Sequence, residues 1–236
     1  LDACPGLKAV SSRSVGVDHV DVAALTERGI PLGNTPGVLV DTTAELAMAM
    51  MLAAARRIPE ADSFVRAGHW RPEQPWHPDM MVGKDLAGAT LGVLGLGAIG
   101  QAVAARAQAF GMQVLGWNRS PREVAGVRNV DLEELLSASD VLSVHVALTE
   151  ATRHLLDERA IARMKPGAIL VNTARGGIVD EQALARALSD GRLFSAGLDV
   201  FASEPLPRDH PLLALDNVVL APHIGSATQR TRQRMA

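Results

Sequence analysis

The run Gly95-Leu96-Gly97-Ala98-Ile99-Gly100 has the G-x-G-x-x-G form, which turns a chain tightly and brings its backbone against a phosphate. In a chain with 21 glycines the pattern alone says little. Its surroundings say more. The apolar run Leu91-Gly92-Val93-Leu94 precedes it and a helical pattern from Gln101 to Phe110 follows, the context a dinucleotide site requires. Gly95 permits the turn, Gly97 admits the pyrophosphate, and Gly100 lets the helix close on the strand. A helix starting at Ala98 and Ile99 presents free N–H groups and its positive dipole end to the phosphates. The competing reading is a glycine-rich turn with no ligand. The next apolar run ends at Trp117, and its tip reads Asn118-Arg119-Ser120-Pro121-Arg122. NAD sites carry Asp or Glu near this point to hold the ribose 2′-hydroxyl. Here there is none, while Arg119, Arg122 and the Ser120 hydroxyl suit a 2′-phosphate. The tip therefore points to NADPH. The alternative is NADH held through other groups, with the arginines simply solvated.

Three further polar residues stand where apolar runs end and loops begin. Arg175 follows Ile169 to Ala174, Glu204 lies four residues after Val200, and His223 follows Val218 to Pro222. Open α/β sheets bind ligands on that side. Each has an ordinary reading: an Arg at a helix end, a solvated Glu, a His with a local partner. Together they supply a cation for a substrate carboxylate, a proton donor, and a carboxylate to orient and charge that donor.

The elements that must position these groups are legible from periodicity. Strand-like runs fall at Thr90–Leu94, Gln113–Trp117, Val141–Val146, Ala168–Asn172, Ser195–Val200 and Asn217–Leu220. Helical patterns fall at Ala98–Phe110, Asp131–Ser137, Glu158–Met164 and Glu181–Ser189. Continuous Val/Leu/Ile strands alternating with helices predict an α/β, doubly wound parallel sheet covered on both faces. Upstream, Lys8–Ser11 and Ile30–Leu32 flank a short helical stretch from Val20 to Arg28. Thr42 and Glu45 have capping-box spacing and open an Ala/Met/Leu-rich helix with Arg56 and Arg57 in its last turn. The stretch from Ala67 to Lys84 holds Trp70, Pro72, Pro75, Trp76 and Pro78, and reads as a functional or interface loop.

Composition narrows the classes. The 236 residues are 47% apolar and 21% charged, and 23 basic against 26 acidic side chains leave −3. That balance offers no footprint for nucleic acid or anionic membrane. The longest apolar stretch, Leu46 to Ala55, is far short of the roughly 20 residues that span a bilayer. Cys4 is the single cysteine, no Cys/His cluster has metal spacing, and the expectation is an intracellular, cytoplasmic protein.

These segments resemble the D-isomer-specific 2-hydroxyacid dehydrogenases, and above all their glyoxylate/hydroxypyruvate reductase branch. The resemblance is carried by Ser14-Val15-Gly16-Val17-Asp18-His19, Asn34-Thr35-Pro36-Gly37, Thr42 to Leu46, Gly95 to Gly100, Asn172 to Gly176 and Ala196 to Val200. It is most specific from Glu204-Pro205-Leu206-Pro207 through His210-Pro211-Leu212-Leu213 to Pro222-His223-Ile224-Gly225-Ser226-Ala227-Thr228. It implies that NADPH reduces a small 2-oxoacid, glyoxylate or hydroxypyruvate, in a homodimer. Arg175 would grip the substrate, His223 would protonate its carbonyl oxygen, and Glu204 would bond the other ring nitrogen. The backbone of Val15 and Gly16 would bind the substrate carboxylate. Asp199 would hold the nicotinamide amide, while Thr173, Ala174, His223 and Gly225 would border the cofactor. Trp76 would reach a partner subunit. Ala147 stands where the family often has Pro, so a slightly altered loop is expected there.

The same resemblance divides the chain into part of a substrate domain (1–36), a dinucleotide-binding domain (37–225), and the start of a helix returning to the first (226–236). It implies further substrate-domain chain beyond both ends. A second reading is a dinucleotide-sensing binding protein, similar to the co-repressors of this fold. A third is a piece that holds cofactor without turnover.

Overall fold

The computed structural model describes residues 1–73 and 76–236; Pro75 of the expected irregular loop lies outside them. A small two-stranded parallel sheet, β1 (Val10–Ser11) and β2 (Leu32–Gly33), encloses α1 (Val22–Glu27). Asp21 caps α1 by accepting the Ala24 N–H at 2.9 Å. Then come α2 (Val40–Ala55) and α3 (Ile58–Arg66), followed by β3 (Thr90–Leu94), α4 (Ala98–Ala109), β4 (Gln113–Trp117), β5 (Val127–Asn129), α5 (Leu132–Ala138) and β6 (Val141–Val144). The remainder is α6 (Glu158–Arg163), β7 (Ala168–Asn172), α7 (Glu181–Ser189), β8 (Leu193–Leu198), β9 (Val218–Leu220) and α8 (Gln229–Met235).

The large sheet is seven-stranded and parallel, in the order β5-β4-β3-β6-β7-β8-β9. The order reverses direction between β3 and β6, opening a crevice outside their carboxyl ends where such sheets take ligands. Every residue of β6 and β7 is buried, as expected for strands covered on both faces. One face packs on α5, α6 and α7 through Leu135, Leu136, Ile161, Met164 and Leu184. The other packs on α2 and α4 through Met50, Met51, Val103 and Ala107. Each fully buried large side chain of this kind contributes about 1.5–3 kcal/mol.

In α2, Ala44, Ala47, Ala54 and Ala55 are buried, and the helix packs on the sheet and on α4. Several sequence expectations are corrected. The capping box at Thr42 does not form. The helix begins one turn earlier, with Leu39 as N-cap and no side-chain cap bond, and the Thr42 hydroxyl meets Thr231 of α8 at 2.6 Å. Arg56 is the C-cap and Arg57 adopts φ 54° as N-cap of α3, a helix the sequence pattern did not announce. Its apolar residues Ile58 and Val65 are more than half exposed, so no core-facing stripe marked it. The three-residue edge strand β5 was missed because only Val127 is apolar. The strand expected at Ser195–Val200 runs instead from Leu193 to Leu198, and β6 stops at Val144.

At the glycine turn Gly95 sits at φ 106°, a region open to glycine at no steric cost. A Cβ on Gly100 would collide with the Gly95 carbonyl, so α4 can approach β3 this closely only through glycine. Gly100→Ala should force α4 outward and destabilise the fold by about 1–3 kcal/mol. Chemical denaturation checks this; unchanged stability would mean the turn relaxes freely.

Candidate active site

A cleft of about 790 Å³ runs between the carboxyl edge of the large sheet and the residues after β1. It brings together Val15, Gly16, Ile99, Thr173, Ala174, Arg175, Asp199, His223 and Gly225, all singled out from the sequence. Glu204 joins through His223: its Oε2 lies 2.7 Å from His223 Nδ1. Among the described residues no cluster of three His, Cys, Asp or Glu is placed to hold a metal.

His223 is held by an unusual backbone. At φ 54° it occupies the left-handed region, which costs a non-glycine residue of order 1 kcal/mol and persists only when neighbours fix it. Its N–H donates to the Asp199 carbonyl at 2.9 Å. The Asp199 carboxylate, 1% exposed, accepts the N–H groups of Ile224 at 2.7 Å and Gly225 at 2.8 Å. Burial pushes the Asp199 carboxyl above the ordinary carboxylate range; these two N–H donors and His223 only partly offset it. Asp199 thus wraps the 221–225 turn around its carboxylate, a role its place in the sequence did not disclose.

Arg175 lies just past β7, where Asn172 bridges the turn by accepting the Ala174 N–H and donating to the Arg175 carbonyl. Its Nε is 3.0 Å from both oxygens of Asp18, Nη2 is 2.9 Å from Oδ1, and Nη1 donates to the Ala174 carbonyl at 2.7 Å. Burial raises the Asp18 carboxyl, but the hydrogen bonds and charge of Arg175 outweigh it and hold the group below its ordinary range. Asp18 belongs to the Ser14–His19 motif, but nothing in sequence links it to Arg175, 157 residues away. Gly16 abuts the same guanidinium, where a Cβ would collide with it. Among the described residues the N–H groups of Val15 and Gly16 donate to no protein acceptor.

The dinucleotide side has features that fit such a group. The N-cap of α4 is Gly97, with no side-chain cap, and open space lies where its Cβ would be. Buried Thr173 Oγ1 has no hydrogen-bond partner. At the tip of β4, Asn118 Oδ1 accepts the Leu96 N–H at 3.2 Å and its Nδ2 donates to the Ser120 carbonyl at 2.7 Å. Asn118 therefore braces the glycine turn. Arg122 folds back, Nη1 donating to the Leu96 carbonyl at 3.1 Å, whereas Arg119 is exposed and has no ion-pair partner among the described residues. The loop holding Ala147 is closed by Thr152, whose hydroxyl donates to the Ala147 carbonyl at 2.6 Å.

The sequence matches the family model described as D-isomer specific 2-hydroxyacid dehydrogenase, NAD binding domain, over residues 48–225. The chain belongs to this family. Among its relatives a glyoxylate reductase of Korarchaeum cryptofilum is 53% identical over all of this chain and 72% of its own length. A solved Thermus thermophilus protein superposes with a TM-score of 0.94 at 52% identity, over 99% of this chain and 74% of its own. The NADPH-dependent glyoxylate/hydroxypyruvate reductase of Sinorhizobium meliloti, solved with NADP and malonate, gives 0.91 at 38% identity, over 99% and 72%. As a 2-hydroxyacid dehydrogenase the chain is an NAD(P)-dependent oxidoreductase acting on a CH–OH group and its 2-oxoacid partner.

This dehydrogenase also places His145 at the switch point, between β3 and the cleft, a residue the sequence reading passed over. Its N–H donates to the Leu94 carbonyl at 2.7 Å and its Nε2 lies 2.8 Å from the Ser143 hydroxyl. Burial lowers its pKa from 6.5 to about 4. Between those values the unfolded chain takes up a proton on this ring that the folded chain refuses, so stability present above pH 6.5 is lost on acidification toward about pH 4. The loss should reach about 3 kcal/mol at most. Urea unfolding at stepped pH should show that slope in the parent and a flatter one in His145→Gln; equal slopes would place the titration elsewhere.

Proposed function

We propose that this dehydrogenase reduces glyoxylate or hydroxypyruvate to the 2-hydroxyacid, using NADPH in preference to NADH and His223 as the proton donor. The observation that carries the reading is the 2.7 Å contact between Glu204 Oε2 and His223 Nδ1 at the mouth of the cleft that also holds Arg175. When bound, the reduced nicotinamide supplies the hydride equivalent that reaches C2 of the oxoacid. The chain's own groups do the rest. Gly97, Ala98, Ile99 and the first turn of α4 cradle the pyrophosphate, with Gly95 and Gly100 shaping the turn. Thr173, Ala174, Asp199 and Gly225 border the nicotinamide end.

Arg175 keeps one N–H on each of Nη1 and Nη2 after its bonds to Asp18 and Ala174, enough to engage the substrate carboxylate and carbonyl. The free N–H groups of Val15 and Gly16 receive the carboxylate from the other wall. Glu204 accepts the Nδ1 proton of His223, so the ring turns Nε2 to the cleft. Nε2 then holds the proton that passes to the substrate oxygen as C2 is reduced. The relatives named glyoxylate reductase and glyoxylate/hydroxypyruvate reductase support this substrate class.

Arg119 carries the cofactor preference. It is an exposed cation at a strand tip without a carboxylate, beside the Ser120 hydroxyl and the Asn118 brace, and it suits a 2′-phosphate. Trp76, 73% exposed in the loop after α3, supports assembly as a homodimer through that face. No helix among the described residues is long and apolar enough to cross a membrane, and a cytoplasmic location is part of the proposal.

His223→Ala should lower kcat for NADPH-dependent glyoxylate reduction about 10²–10⁴-fold. Unchanged turnover would exclude His223 as the acid. Arg119→Asp should move the ratio of kcat/KM values toward NADH, since it replaces an attractive charge with a repulsive one. An unaltered ratio would remove the 2′-phosphate reading while leaving the reaction intact.

A further inference from the structure

Burial does not hold the Glu204–His223 pair, whose side chains are 36% and 50% exposed. The constraint lies one layer beneath. Glu204 rides on the loop from Phe201 to His210, which leaves β8 and re-enters the fold at the 3-10 turn Pro211–Ala214. Both ends of that loop lie against one carboxylate. Glu181, the first residue of α7 and 9% exposed, accepts the Ala202 N–H on Oε1 at 2.6 Å. Its Oε2 lies 3.3 Å from Nε2 of His210, whose side chain is 10% exposed. His210 Nδ1 accepts the Leu212 N–H at 3.4 Å, so the ring proton belongs on Nε2, facing Glu181. A carboxylate this buried needs polar partners on both oxygens, and losing either one leaves it under-satisfied. Within the loop the Phe201 N–H donates to Glu204 Oε1 at 3.0 Å, which turns Oε2 to His223. The Arg175 turn rests on the same root, where a Cβ on Gly176 would collide with the backbone of Phe201 and Ala202.

We propose that Glu181 and His210 are positioning residues for the reduction, clamping both ends of the 201–210 loop so that Glu204 meets His223 in line. Neither borders the cleft, so they act through Glu204 and touch neither substrate nor cofactor. The proposal rests on the reading of His223 as proton donor with Glu204 as its partner.

The test is a double-substitution cycle in the full-length enzyme, read as the single-turnover rate of NADPH oxidation with saturating glyoxylate. His210→Leu removes the Nε2 donor and should slow that rate about 10- to 100-fold, the scale of a small misplacement at a reacting group. His210→Gln returns an amide N–H toward Glu181 and should recover most of the rate. In a Glu204→Gln background, His210→Leu should slow the rate by no more than about 2-fold, because the group it positions is already lost. In cofactor-free protein, long-range ¹H–¹⁵N spectra of the His223 ring should show less Nδ1-protonated form in His210→Leu and recovery in His210→Gln. Equal slowing in both backgrounds, or an unchanged rate and spectrum in His210→Leu, would overturn the proposal. A Glu204→Gln enzyme as fast as its parent would instead remove the reading beneath it. If His210→Leu fails to bind NADPH, Glu181→Gln is carried through the same cycle and judged by the same outcomes.

Discussion

The buried carboxylate of Asp199 ties the sheet to the chemistry. It sits one residue beyond β8, accepts two successive N–H groups from the 221–225 turn, and its own carbonyl takes the His223 N–H. Those bonds hold His223 at a positive φ, together with its contact to Glu204 and the bond from the Thr43 hydroxyl to the Gly225 carbonyl. The cost is visible in the raised Asp199 carboxyl, which burial disfavours as an anion and the N–H donors only partly compensate. The parallel sheet makes the arrangement possible. Its strands β7, β8 and β9 end side by side, so Arg175, Asp199 and His223, 24 or more residues apart along the chain in two consecutive steps, emerge on one edge.

The opposite wall depends on a different balance. Arg175 would be a costly partly buried cation alone, and Asp18 holds it from the residues after β1. The contact fixes the guanidinium plane while leaving donors on its outer nitrogens, an arrangement suited to planar recognition of a carboxylate. Gly16 leaves room for that guanidinium and keeps the backbone N–H groups beside it. His145, whose pKa burial lowers to about 4, stays neutral through the physiological range and adds no charge beside the cleft.

Local patterning revealed those parts of the fold whose burial is continuous. The strands Thr90–Leu94, Gln113–Trp117 and Ala168–Asn172 match their expected ranges end to end, because their central residues are apolar and buried on both faces. The edge strand β5 and the surface helix α3 were not legible, since neither buries an apolar stripe. The capping box at Thr42 does not form because α2 already begins at Val40, which places Thr42 inside the helix, where its hydroxyl meets Thr231 of α8. Arg122, grouped with Arg119 at the tip of β4, donates to the Leu96 carbonyl, a contact the residue types of the tip do not disclose.

The sequence by itself determined the doubly wound class and the glycine turn at the head of α4, and it singled out Arg175, Glu204 and His223 where apolar runs end and loops begin. These follow from short-range regularities, strand period, helix period and turn chemistry, which need no partner from elsewhere in the chain. Only the tertiary structure decided what holds those residues: Asp18 on Arg175, Asp199 under the His223 turn, Glu181 and His210 beneath Glu204, and Asn118 bracing the glycine turn. Each is a hydrogen bond or ion pair between residues at least 21 positions apart, formed when folding closes the loop between them, so no pattern within a window of sequence contains it.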